Sequence, residues 1–358
     1  MATFKRVDVP ELTVKEKADI PFIRVGILLR MLYTAITGVF RGKMYPKKFR
    51  HHIITTILRS QPFSPRQHQH VNLSTPEIYE LSMKKRGLEP EGVSLPHNAD
   101  GYWIGNKNAK KVLVYYHGGG FAMAPIASHM NFFIDLIQVL NDNGNDIAVF
   151  FLRYTLTPHA KYPTQLRQAI EALRYILNET GRSPADVVLG GDSAGGNLAM
   201  ATLLHLSHPH PEIEPFILET PLAGVFGFAP WVNFSTSSDW PSMTENEYRD
   251  VCTARGLNGW SKMYLDGREA DNWSEPSKAP AEWWADAKTD HILLLVGSDE
   301  ILFSPIEAFA KKVKAVFPAT TFLVGADESH DAHLYVDAGV KEGTQTGNEL
   351  RRWVAARL

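Results

Sequence analysis

One serine in this chain sits among residues too small to be there for packing. Gly191-Asp192-Ser193-Ala194-Gly195 follows an apolar, β-branched run and precedes a helical pattern, Leu198, Met200, Leu203 and Leu204. This is the G-x-S-x-G spacing, in which a strand turns sharply into a helix and lifts a serine hydroxyl clear of the sheet. The neighbours must be small because strand and helix approach closely there. The helix also aims its free N–H groups at the serine, where they suit a developing negative charge. A phosphate cradle is the rival reading, but no Lys-Ser/Thr follows the glycines as a P-loop requires. The chemistry indicated is nucleophilic attack by Ser193.

A second stretch supports that reading. His117-Gly118-Gly119-Gly120-Phe121 follows another apolar run, and three glycines in a row expose backbone N–H groups. Such a loop supplies donors to an oxyanion, and the N–H groups of Gly118, Gly119 and Ala194 are the expected set. His117 reads as structural, holding the loop by a hydrogen bond. A serine hydroxyl needs a base, and the base needs a carboxylate to orient it. In this chain order the acid comes next and the histidine last. "GSDEIL" offers Asp299 and Glu300, and "GADESHDAHLY" offers His330 and His333.

These residues need a scaffold that brings them together. Apolar runs at 111–117, 146–154, 185–191, 222–232, 291–298 and 320–326 read as strands. They alternate with helical patterns at 128–144, 163–181, after Ser193, at 304–317 and at the end of the sequence. Such alternation predicts an α/β fold, a mostly parallel central sheet with helices on both faces. Its ligand sites lie beyond the carboxyl ends of the strands, which is where Ser193 and the candidate acid and base fall. Residues 1–75 are mainly helical in pattern. Residues 233–285 are polar, rich in Trp and interrupt the alternation, so they read as an insertion over the sheet.

Composition narrows the class. The 358 residues carry a formal net charge of −2, which provides no basic surface for nucleic acid. A single cysteine, Cys252, excludes an internal disulfide and a cysteine-rich metal site, and it reads as incidental. The first twenty residues lack the pattern of a cleavable secretory signal, so the expected location is intracellular, in the cytoplasm or on a membrane face. Residues 20–40 are apolar and about as long as a membrane span, but Arg24 and Arg30 lie within them, on roughly one side of a helix. The run reads as an amphipathic helix packed on the protein or lying on a membrane, with residues 20–50 as the contact, since "RGKMYPKKFRHH" follows directly.

From about residue 110 to its end, the chain resembles the hormone-sensitive-lipase-like branch of the α/β-hydrolases. The motifs are "HGGGF" at 117–121 and "GDSAGG" at 191–196, with "APWVNFS" at 229–235 and "SEPSKAPAEWW" at 274–284 as later landmarks. "YTLTPHAKYP" at 154–163 looks like a further family stretch, with Thr155 and His159 where the family has Arg and Glu; Ala124 stands where relatives often have Gly. The resemblance implies Ser193 as nucleophile, Gly118, Gly119 and Ala194 as the oxyanion hole, and an α/β-hydrolase fold with a helical cap. Aligned without gaps, Glu300 falls on the family's acid and Asp299 one residue early. His330 falls on the family's histidine, ahead of His333. Residues 1–75 are then the cap, 76–358 the catalytic domain, and 233–285 a contribution to the cap.

The implied activity is that of a serine esterase or lipase, with no metal and no organic cofactor. The expected partner is a small hydrophobic ester. The long apolar cap, with Phe22, Leu28, Leu29, Leu32 and Tyr33, implies a roomy site for a short-acyl ester of a bulky alcohol such as a sterol or secondary metabolite. Acyl transfer or lactone closure on the same residues, and a ligand-binding homologue without catalysis, are the alternatives.

Overall fold

A computed structural model describes residues 7–60, 63–338 and 343–358. Among these residues, eight strands form one sheet: β1 Glu91–Leu95, β2 Ala99–Ile104, β3 Lys111–Tyr116, β4 Ile147–Arg153, β5 Val187–Asp192, β6 Gly224–Phe228, β7 Ile292–Gly297 and β8 Thr320–Gly325. Their spatial order is β1-β2-β4-β3-β5-β6-β7-β8. β1 and β2 pair antiparallel with each other, and β2 with β4; every other pairing is parallel. Every residue of β4, β5, β6 and β7 is buried, as expected of parallel strands covered on both faces.

Among the described residues, twelve α-helices accompany the sheet: α1 Val14–Thr37, α2 Phe49–Arg59, α3 Pro65–Val71, α4 Thr75–Lys85, α5 Ala127–Asp142, α6 Thr164–Arg174, α7 Ser193–His205, α8 Ser242–Glu245, α9 Ala254–Leu265, α10 Ala281–Ala285, α11 Phe303–Val316 and α12 Gln345–Ala355. One core layer joins α4, α5 and α12 to the sheet through Tyr79, Phe133, Ile137 and Val354. The other joins α6, α7 and α11 through Leu166, Ile170, Leu203 and Phe309. The insertion between β6 and β7 holds α8, α9 and α10.

The fold matches the architecture expected from the alternation of strands and helices, with local differences. The antiparallel edge, β1 and β2, falls in a polar stretch that shows only short strand signals. The strand expected over 222–232 stops at Phe228, because Ala229 turns to a positive φ of 44° and a proline follows. Near the start of the chain, Arg24 and Arg30 do not share one side of α1. Six residues apart, they stand about 120° from each other around the helix.

Candidate active site

Ser193 is the first residue of α7, directly after β5, at a left-handed φ of 51°. Few non-glycine residues adopt that conformation, and it persists only where the surroundings enforce it. They do so here by contact. A Cβ added to Gly195 would lie 1.9 Å from the Tyr116 carbonyl oxygen, and one on Gly191 would lie 2.4 Å from the Gly195 carbonyl oxygen. The glycines let the end of β3, the turn and α7 meet. The free N–H groups of the first helical turn, Ala194 among them, then open beside the serine.

The glycine loop lies against the same turn. Gly119 and Gly120 adopt φ of 106° and 59°, and a Cβ on either would strike the Met123 carbonyl oxygen or the Trp260 ring, each at 2.6 Å. Gly118 does not fill the role expected of it. Its N–H donates to Asp192 Oδ1 at 2.8 Å, so it is spent on holding the loop to β5. Among the described residues the N–H groups of Gly119 and Gly120 keep no backbone partner, and they flank the serine with that of Ala194. His117 is buried, its Nδ1–H donates to the Gly118 carbonyl at 2.7 Å, and its ring stacks on Tyr154. Burial pushes its pKa down to about 3, so it stays neutral.

Asp192 anchors this loop, a role that no local pattern marked. Its carboxylate accepts from the Tyr115 hydroxyl and Gly118 N–H and lies 3.2 Å from His129 Nε2. Burial alone would raise its pKa; His129 first, and then Tyr115, hold it below the usual carboxylate range.

The candidate acid and base follow the ends of β7 and β8. His330 Nδ1–H donates to Glu300 Oε2 at 2.9 Å. Glu300 is fully buried, and its second oxygen accepts from Gly297 N–H. Burial pushes its pKa up to about 7 against the pull of His330. Asp299 points elsewhere, with Oδ1 3.5 Å from Arg249 Nη1. His333 is also elsewhere: its ring packs against Phe228 and Phe132, and burial pushes its pKa down to about 3. The structure thus brings together Ser193, Glu300 and His330, and leaves Asp299 and His333 outside.

Four further residues, Asn246, Asp250, Cys252 and Asp331, lie against these loops. Asp250, from the insertion, accepts from the N–H groups of Ile301 at 2.8 Å and His330 at 2.9 Å, joining the acid loop to the base loop. Asn246 donates from Nδ2 to the Ser298 and Glu300 carbonyls. The insertion therefore holds the loops that carry Glu300 and His330. Asp331 holds a left-handed φ of 53° with Oδ2 3.2 Å from His330 Nε2, the ring nitrogen turned away from Glu300. Among the described residues, Nε2 meets this carboxylate and has no hydrogen bond from Ser193 Oγ. Burial works to lower the His330 pKa, but the Asp331 charge first, and then Cys252, raise it well above that of an ordinary histidine. Burial and the nearby Asp192 and Glu300 raise Asp331 in turn. Cys252, read as incidental, is buried at this histidine, and its own pKa is raised by burial. No sequence signal marked Asp250, Cys252 or Asp331, because their partners are remote in the chain or set by a turn.

Ser193 and His330 face a cavity of about 520 Å³. Its apolar wall includes Leu58 of α2, Phe63, Pro65 of α3, Met123, Val251 and Trp260 of α9. The expected lining by Phe22, Leu28, Leu29, Leu32 and Tyr33 is not found. These side chains are more than half exposed, because α1 packs on α2 by its opposite face and does not reach the cavity. Among the described residues, no group of three His, Cys, Asp or Glu side chains is arranged to hold a metal ion.

Residues 113–334 match the alpha/beta hydrolase fold family, which is more than half of the chain. The chain belongs to the α/β-hydrolase family. Steryl acetyl hydrolase 1 of Saccharomyces cerevisiae is 28% identical to this α/β-hydrolase over 218 residues, covering 56% of this chain and 48% of the yeast protein. An acetyl-hydrolase of Streptomyces hygroscopicus is 27% identical, covering 70% and 77% of the two chains. The carboxylic ester hydrolase LipN of Mycobacterium tuberculosis is 35% identical, covering 58% and 53%. The matches thus span about half the length of the yeast and mycobacterial relatives. Among solved structures, an esterase from the bacterial hormone-sensitive lipase family superposes with a TM-score of 0.67 at 21% identity, over 87% of this chain and 99% of that one, and so shares the fold.

Proposed function

We propose that this α/β-hydrolase is a serine carboxylic ester hydrolase that acts through an acyl-enzyme on a hydrophobic ester. The observation that carries the reading is the convergence of Ser193 at a strained strand–helix turn, the His330–Glu300 hydrogen bond and unpartnered backbone N–H groups on one apolar cavity. Ser193 Oγ attacks the ester carbonyl carbon, and its proton passes to His330 Nε2. Glu300 fixes the imidazole with Nδ1 protonated and stabilises the imidazolium. The negative oxygen of the tetrahedral intermediate accepts from the N–H groups of Ala194 and the glycine loop, Gly119 and Gly120 being the free donors there. The C–O bond to the alcohol then breaks, and the proton on His330 goes to the leaving alkoxide. Water repeats the sequence on the acyl-enzyme, releases the acid and restores Ser193.

The substrate class we favour is a short-acyl ester of a bulky apolar alcohol. Its support is the apolar wall of the cavity and the names of two relatives, which act as steryl acetyl and acetyl hydrolases. The test is hydrolysis of p-nitrophenyl acetate, butyrate and octanoate, followed by a steryl acetate, by wild type and Ser193→Ala. Removal of the nucleophile should cost at least about a thousandfold in kcat. Activity that survives the substitution would refute the nucleophile. Equal rates on all three chain lengths would refute the short-acyl preference.

A further inference from the structure

We propose that α1 lies in the plane of an anionic phospholipid surface and holds the protein there by its outward apolar face. Ile23, Ile27 and Met31 are half-buried and Thr34 is fully buried; this stripe faces the protein, where α1 packs on α2. On the opposite face Phe22, Val25, Leu29, Leu32 and Ile36 recur at three- and four-residue spacing, between 53% and 77% exposed. The face continues into Val39 and Phe40, the latter 90% exposed. This inverts the usual order of a soluble helix, whose apolar stripe turns inward. A contiguous apolar surface of this kind marks a contact site.

Charge selects the partner. Between residues 20 and 76 the chain has nine Lys and Arg and no Asp or Glu, although the whole chain carries a net charge of −2. Arg24 and Arg30 stand on either flank of the inner stripe, where their stems can lie along apolar surface and their heads reach lipid phosphates. Lys43 and Lys48, just past the helix, are exposed and make no ion pair among the described residues. A second copy of α1 would bring two such positive segments together, so self-association is opposed by the same charges that favour anionic lipid. By length and composition α1 could cross a bilayer. Crossing would strip the inner stripe from α2 and draw both arginines into hydrocarbon, and in-plane docking avoids both costs. Leu58 and Pro65 place α2 and α3 on the cavity wall, so an ester dissolved in the bilayer would have a short path to Ser193; this last consequence rests on the proposed function, and the docking does not.

The experiment is sedimentation of the full chain with vesicles of phosphatidylcholine alone and of equal parts phosphatidylcholine and phosphatidylglycerol. We expect binding to the mixed vesicles at least about tenfold above the neutral ones, weakening with salt. Leu29→Glu with Ile36→Glu should abolish it, and Lys43→Glu with Lys48→Glu should reduce it at least about tenfold. All four positions are exposed, so melting temperature and p-nitrophenyl butyrate turnover in solution should be unchanged. An alkaline carbonate wash should release the bound protein. Absence of vesicle binding, or binding indifferent to both double variants, overturns the proposal. So does a dimer in light scattering that the apolar-face variant dissolves, which would make a second copy the partner. Resistance to the carbonate wash would make α1 a spanning helix and overturn in-plane docking.

Discussion

Replacing Glu300 by Gln should cost roughly a thousandfold in kcat/KM while leaving the fold intact. Glutamine keeps the shape of the side chain and can still meet His330 Nδ1, which lies 2.9 Å from the present carboxylate oxygen. What it removes is the charge opposite the imidazolium formed in each transition state. Two unit charges about 4 Å apart, at an effective dielectric constant of about 20, interact by about 4 kcal/mol, close to three powers of ten in rate. The glutamine amide can also turn an N–H toward Nδ1 and fix the wrong tautomer. The assay is initial-rate hydrolysis of p-nitrophenyl butyrate across pH, with Asp299→Asn as the control. Asp299 faces Arg249, so its amide should stay within about threefold of wild type. Burial pushes Glu300 up to about 7; wild-type activity should therefore fall as pH drops through 7 and the carboxylate takes a proton. That Glu300-dependent loss should be absent from the variant. A Glu300→Gln enzyme within tenfold of wild type, or an Asp299→Asn enzyme equally impaired, would refute the assignment of the acid.

Asp331→Asn removes the charge that most raises the His330 pKa, so the base form of His330 should persist to lower pH; the acidic limb of kcat/KM should move down the pH scale, and an unmoved limb would show that Asp331 does not act on His330. His330→Gln should abolish turnover, whereas His333→Gln, at a ring packed on Phe228, should lower the melting temperature and keep kcat within about tenfold. Gly195→Ala would place a Cβ 1.9 Å from the Tyr116 carbonyl oxygen; it should cost more than about 3 kcal/mol in chemical denaturation, and a stable, active variant would contradict the close packing of the turn.

Sequence by itself determined the parts whose causes are local. Ser193 was legible because a strand, a turn of small residues and a helix occur in immediate succession, and steric crowding leaves such a succession few conformations. The parallel sheet was legible because strands buried on both faces must be continuously apolar. The same local reasoning misassigned Gly118, since its N–H is claimed by Asp192, a residue seventy-four positions away. The family resemblance put Glu300 ahead of Asp299 and His330 ahead of His333; tertiary structure brings Glu300 and His330 into contact and sends the other two elsewhere, because neighbours in a turn point in different directions and packing from other segments selects one. Tertiary structure alone placed Asp250 between the acid and base loops and Asp331 against His330 Nε2. It also turned the apolar side of α1 outward: periodicity shows that a helix has an apolar face, but only contact with α2 shows which way that face looks.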